Sequence, residues 1–334
     1  SWLVELFGFP QGTWGTLVTG ATEANFTGLA AARQALLHRQ GWDVAVKGIF
    51  GAPKLRVVVG EEVHVSALLA LRVLGFGRED MTRVPTDSQG RMRADALPEL
   101  DSNTIVCLQA GNVNSGAFDP AEEICKRARQ AGAWVHVDGA FGLWAAAAPA
   151  RQHLVAGVAE ADSWATDAHK WLNVPHDCGI VFCREPKYLI MAMALDPAAY
   201  IDEAREVGDP DDYSLQMSRR VRGVEVWAAL RTLGRSGLGD LIERTCQHAQ
   251  TFSQKLSNAG YEILNDVVLN QVLVSFGDDE KTQRVLTRVQ QDGTCWLSGT
   301  RWHGRQAMRI SVSSWATTPS DVDQSVDAIL RAAG

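Results

Sequence analysis

Hydrophobic positions along this chain keep two periods, one helical and one of short buried runs. Ala24 to Arg39 carries Ala and Leu at helical spacing, Leu55 to Val59 is a β-branched run, and Val65 to Leu74 is helical again. Ile105 to Gln109, Trp134 to Asp138 and Gly179 to Cys183 read as further buried strands, with Pro120 to Gln130 as the helix between the first two. Strands alternating with helices predict a mostly parallel α/β sheet covered on both faces. From Asp196 to Ser218 the texture turns to Pro, Asp and Gly, which predicts a long loop of the kind that often forms a lid. A helix follows from Val221 to Leu233, and Gly234 to Gly239 offers a hinge. Beyond it come a helix, the strand Val272 to Phe276, a helix, the strand Met308 to Val312 and a last helix after Thr317-Thr318-Pro319-Ser320. The expected organisation is a large α/β domain over 1–235 and a smaller α+β domain over 236–334. No internal repeat or low-complexity tract interrupts it.

The 334 residues exceed the size at which one core usually stops growing, in keeping with two domains, and 46% hydrophobic content suits a well-packed globular protein. The formal charge of −7, with basic residues scattered, argues against a nucleic-acid or anionic-membrane partner and for a small-molecule enzyme. Cys107, Cys125, Cys178, Cys183, Cys246 and Cys295 form no CxxC pair and no zinc spacing, so reduced, mostly buried thiols and no metal are expected. No apolar stretch reaches the about 18 residues of a membrane helix, and no signal-peptide pattern opens the chain. A soluble cytoplasmic protein is implied. Ser1-Trp2-Leu3-Val4-Glu5-Leu6 enters an apolar segment directly, which suggests that an N-terminal piece has been lost.

The chemistry concentrates at the carboxyl ends of the strands, where such sheets bind ligands. Asp138 ends an apolar strand, where a carboxylate is expensive to bury without a cation or strong donors. A protonated pyridine nitrogen would serve, as would an Arg or Lys. A metal shared with His136 fits poorly, because alternate strand residues point to opposite faces. Some thirty positions on, Trp164-Ala165-Thr166-Asp167-Ala168-His169-Lys170-Trp171 places Lys170 among apolar neighbours. Most lysines lie on the surface, but these flanks argue for a semi-buried amine with a lowered pKa. A lysine able to form a Schiff base and an acid able to keep a pyridine nitrogen protonated are what pyridoxal phosphate (PLP) chemistry needs most. Thr19-Gly20-Ala21-Thr22 opens a helix, which makes either a simple cap or a phosphate site. His64 starts another helix, as a cap or as a ring stacked on a flat cofactor.

In order and spacing, five segments resemble the group II PLP-dependent amino acid decarboxylases, which include the aromatic amino acid, tyrosine and glutamate enzymes and have the fold-type I architecture. They are Leu17 to Arg33, Glu61 to Gly75, Gly111 to Pro120, His136-Val137-Asp138-Gly139-Ala140 and Asp167-Ala168-His169-Lys170-Trp171. The likeness continues through Arg309-Ile310-Ser311. It implies that Lys170 forms the internal aldimine, that Asp138 pairs with the pyridine nitrogen, and that His64 stacks on the ring and faces the substrate carboxylate. It further implies that Ala140 packs the opposite face, while Ala21, Thr22 and His169 hold the phosphate. Asp167, also a cofactor contact, stands where some members have asparagine, and Asn112 and Asn114 occupy a stretch rich in threonine in the animal enzymes. A homodimer with shared active sites is implied, together with an N-terminal segment swapped between subunits that the chain as given does not include.

The reaction so implied is decarboxylation of an L-amino acid to the amine and CO2. The loop tyrosine that reprotonates the carbanion in animal aromatic decarboxylases has no clear match, since Tyr213 falls a few residues away and Tyr200 looks structural. Aldol cleavage, decarboxylation with oxidative deamination, and a non-catalytic PLP-fold paralogue are therefore the alternatives. No Gly-x-Ser-x-Gly elbow or Rossmann fingerprint supports a hydrolase or a dinucleotide enzyme. Arg309 is placed either near the cofactor or in a structural ion pair. Cys295 to Thr300 and His303 are pocket or interface residues, and Trp14, Trp144, Trp171, Trp296 and Trp302 suit either a broad apolar pocket or packing.

Overall fold

The computed structural model describes residues 2–194 and 210–334. Among them seven strands form the larger sheet: β1 (Trp14–Val18), β2 (Arg56–Gly60), β3 (Met81–Val84), β4 (Thr104–Gln109), β5 (Trp134–Asp138), β6 (Ser163–Asp167) and β7 (Gly179–Cys183). Their order is β1-β7-β6-β5-β4-β2-β3. Only β7 runs against its neighbours, so the sheet is mostly parallel.

Period-two burial assigns each strand's side chains to two cores. Val106, Leu108, Val135 and Val137 face one side with Trp144 and Trp164, beneath α5 (Ala121–Ala131) and the first half of a long helix, α7 (Gly223–Asn258). Ile105, Cys107 and Trp134 face the other, against α2 (Ala21–Arg39), α4 (Val65–Val73) and α6 (Lys187–Met193). Two short helices, α1 (Trp2–Leu6) and α3 (Val44–Lys47), lie at the margins. Strands β5 and β7 coincide with their hydrophobic runs. β6 gives no such signal, since Ser-Trp-Ala-Thr-Asp holds one β-branched residue. Its five buried positions are imposed by hydrogen-bonded partners on both sides.

The second sheet is antiparallel, in the order β10-β11-β9-β8, from β8 (Glu262–Ile263), β9 (Gln271–Ser275), β10 (Ser298–Trp302) and β11 (Arg305–Ser311). The second half of α7, α8 (Asp279–Asp292) and α9 (Pro319–Ala333) cover it around Phe252, Val274, Leu286 and Ile329. A capping box starts α9, with Thr318 and Asp321 bonding each other's backbone amides. The hinge expected over Gly234 to Gly239 narrows to one residue. Gly234 has φ 63° and ψ −175° inside α7, and the helix resumes at once.

Of the loop expected from Asp196 to Ser218, residues 196–209, and with them Tyr200, lie outside the described residues. Pro210–Tyr213 forms a single 3-10 turn with Tyr213 buried beside Trp14. No helix among the described residues is long and apolar enough to cross a membrane.

Candidate active site

Strand register brings the chemistry to one edge. Gln109 pairs with Asp138, Asp138 with Ala165, and Asp167 sits opposite Gly179 at the β6–β7 hairpin. The start of α2 lies directly against that hairpin. A Cβ on Gly179 would stand 2.4 Å from the carbonyl carbon of Gly20, so only glycine allows this approach.

Asp138 is 6% exposed. Its Oδ2 accepts from Asn25 Nδ2 at 2.8 Å and its Oδ1 from the Ala140 N–H at 3.2 Å. Among the described residues no lysine or arginine pairs with it, so the buried carboxylate meets two neutral donors and no cation. Ala140, half-buried, is the next residue but one at the same strand end.

Asp167 joins three of the expected residues. Its Oδ1 accepts from the Ala21 N–H at 2.6 Å, its Oδ2 lies 2.8 Å from Lys170 Nζ, and His169 Nε2 is 3.7 Å away. Lys170 departs from expectation. Its side chain is 41% exposed rather than semi-buried, because it leads away from the β6–β7 turn and is held by a carboxylate instead of apolar surface. The apolar flanks turn inward without it: Trp171 is buried, with Nε1 donating to Thr245 Oγ1, and Trp144 Nε1 donates to the Asp167 carbonyl. With the Ala21 amide taken by Asp167 and that of Ala24 by Gly20, Thr22 and Glu23 hold the other first-turn N–H groups of α2.

His64 is the N-cap of α4, with Nδ1 accepting from the Ser66 N–H at 3.2 Å and lying 2.8 Å from Ser66 Oγ. The expected cap is thus present. Burial lowers its pKa, the charges of Lys170 and Arg309 push the same way, and Asp138 and Asp167 oppose them. His169 is likewise lowered, by burial first; its Nδ1 accepts from the Cys178 N–H and its ring stacks on His176 at 4.1 Å.

His136 has a polar neighbour at each ring nitrogen. Its Nε2 lies 2.9 Å from Asn25 Oδ1 and its Nδ1 2.8 Å from Ser163 Oγ, and no cluster able to hold a metal occurs among the described residues. Sequence reasoning missed Asn25, Ser66 and Ser163. The available signal was a lone asparagine on the small-residue side of α2, where Ala24, Gly28 and Ala31 are buried with it.

The second sheet contributes Arg309, half-buried, with Nη1 3.4 Å from both Val113 O and Asn114 Oδ1, and among the described residues no carboxylate pairs with it. Thr300 also donates to Asn114, while Trp296 is exposed, and Trp144, Trp171 and Trp302 are core residues.

A family model described as the pyridoxal-dependent decarboxylase conserved domain matches residues 1–277. The chain belongs to that family. The decarboxylase family brings pyridoxal 5′-phosphate as cofactor and amino-acid decarboxylation as reaction, and the site fits the group: a buried carboxylate lacking a cation suits a ring N–H⁺, and a helix N-terminus suits a phosphate. Among relatives, tryptophan decarboxylase 1 of Oryza sativa subsp. japonica is 28% identical over 353 residues, 94% of this chain and 67% of its own length. The 4-hydroxyphenylacetaldehyde synthase of Rhodiola rosea is 28% identical over 340 residues, covering 96% and 68%. Among solved structures, Oryza sativa TDC with PLP and tryptamine superposes with TM-score 0.89 at 25% identity, over 99% of this chain and 74% of that one.

Proposed function

We propose that this chain converts an L-amino acid to its amine and CO2 at the site formed by Lys170, Asp138 and His64. The observation that carries the reading is the buried carboxylate of Asp138, with no cationic partner among the described residues, at the same end of the sheet as the turn that carries Lys170. Lys170 Nζ would hold the cofactor, Asp138 its ring nitrogen, and His64 and Ala140 its two faces. The Thr22 and Glu23 amides, the Thr22 hydroxyl and His169 would hold its phosphate, with Asp167 bracing Ala21 and Lys170. When bound, pyridoxal phosphate supplies an electron sink for the pair left as CO2 departs.

Around it the protein orients charge. Asp138 keeps a proton on the ring nitrogen, which needs a buried, fixed carboxylate. Because His64 Nδ1 accepts from Ser66, the neutral imidazole carries its proton on Nε2, the nitrogen available to the substrate. Arg309, half-buried and without a carboxylate partner among the described residues, would take the substrate's carboxylate. We place the domain boundary at 235/236, supported by the break at Gly234. A homodimer with shared sites is supported by the exposed apolar stripe Val65, Leu69 and Val73 on α4, and a cytoplasmic setting by six free cysteines.

The test is a panel of L-amino acids with mass spectrometry of products, Lys170→Ala as control, and CO2, ammonia and peroxide measured together. Amine and CO2 in equal amounts are expected. No CO2 from any substrate refutes the reading. Aldehyde with ammonia and peroxide instead establishes the second reading, decarboxylation with oxidative deamination, which relatives named as aldehyde synthases favour.

A further inference from the structure

Asn25, wholly buried on α2, uses each of its polar groups. Its Nδ2 lies 2.8 Å from Asp138 Oδ2 and 3.3 Å from Ser66 Oγ, and its Oδ1 is 2.9 Å from His136 Nε2. The orientation follows from chemistry. An ionised carboxylate only accepts, so the NH2 faces Asp138 and the oxygen faces His136, whose Nε2 must then carry the proton. His136 Nδ1 in turn accepts from Ser163 Oγ–H, and Ser163 Oγ accepts from Trp134 Nε1–H at 3.0 Å. Every N–H and O–H from Trp134 onward thus points toward the Asp138 carboxylate. The second amide hydrogen goes to Ser66, whose hydroxyl points on to His64 Nδ1. One carboxamide therefore ends two chains, one fixing Asp138 and one reaching the His64 ring, whose tautomer the Ser66 N–H already sets.

We propose that Asn25 is a positioning residue for the reaction: a junction that orients Asp138 and His64 together. The inference rests on the assignment of those two side chains to the cofactor ring. Gly28, one turn along α2, keeps the junction open, because a Cβ there would stand 2.7 Å from His136 Cε1 and displace the ring.

The experiment uses nitrogen-15 NMR of the histidine rings in the full chain without cofactor, and of ring-labelled pyridoxal phosphate in the loaded protein, for four forms. Wild type should show His64 and His136 each as the single Nε2–H tautomer. Asn25→Leu should mix the His136 tautomers, shift the His64 Nδ1 resonance while the Ser66 N–H keeps that ring Nε2-protonated, move the cofactor nitrogen toward its unprotonated position, and lower kcat about tenfold to a hundredfold with little change in KM, the size expected for losing a hydrogen bond to a charged group. Ser66→Ala should shift the His64 Nδ1 resonance alone, without changing its tautomer, and Ser163→Ala should disturb His136 but not His64. A merely structural asparagine would not produce this branch-by-branch pattern, and the two serine variants decide the matter if Asn25→Leu does not fold. Unchanged tautomers in folded Asn25→Leu, or serine variants that disturb both rings alike, would overturn the junction. A wild-type chain that shows the tautomers but retains no pyridoxal phosphate overturns the cofactor assignment, and with it the catalytic meaning of the junction.

Discussion

Replacing His136 with glutamine should change how stability depends on pH by an amount the structure sets. Burial pushes the pKa of His136 from 6.5 down to about 4. The folded state holds that proton less tightly than the unfolded chain does. As pH falls through 6.5 the unfolded chain is protonated first, and native stability declines until about pH 4. The gap corresponds to roughly 3 kcal/mol in full, of which about 2 kcal/mol is lost between pH 7 and pH 5. Asp119 works in the opposite sense. Although it accepts from the Met92 and Gln109 amides, burial raises its carboxyl from 3.8 to about 6, so acidification over the same interval restores about 1 kcal/mol. Asp119 thus offsets about half of the His136 effect, and wild type alone would show only the smaller net slope. Urea unfolding of wild type and His136→Gln without cofactor, at both pH values, separates them: the advantage of wild type over the variant should shrink by about 2 kcal/mol on acidification. A difference constant to within about 0.5 kcal/mol would mean that His136 titrates normally, and the burial argument would fail.

Asp138→Asn keeps the shape and removes the charge, so retention of pyridoxal phosphate, followed by equilibrium dialysis, should weaken about a hundredfold. Gly142→Ala would place a methyl 2.0 Å from the Ala110 carbonyl oxygen, which is backbone and cannot yield. A loss of at least about 3 kcal/mol in thermal unfolding is expected there. At Gly293, with φ 77° at the end of α8 and nothing near the added methyl, alanine should cost only about 1 kcal/mol. A thiol reagent should modify at most Cys295 in the native protein, and slowly because burial raises its pKa; all six cysteines should react once unfolded.

Much of this architecture was legible because strands buried on both faces read as continuous apolar runs: β5 and β7 begin and end where their runs do. β6 was not, since its conformation comes from neighbours rather than from its own residues. At the site, Lys170, Asp138 and His64 announce themselves by residue type and position. The hidden part is the contact of Asn25 with His136, which are 111 residues apart and meet only when α2 lies across β5. Lys170 was misjudged for a related reason: flanking apolar residues report where the backbone is buried, not where a long side chain leads.

The turn that carries Lys170 has a second anchor. Asn173, in the left-handed conformation at φ 58°, donates from Nδ2 to the Ser313 carbonyl and accepts at Oδ1 from the Trp315 amide. A fragment cut at the Gly234 break would keep the residues of the lysine turn but lose the segment after β11 that fastens it. The carboxyl-terminal third of the chain is thus a clasp on the turn of Lys170, and a ligand that steadies that lysine will also resist separation of the two halves.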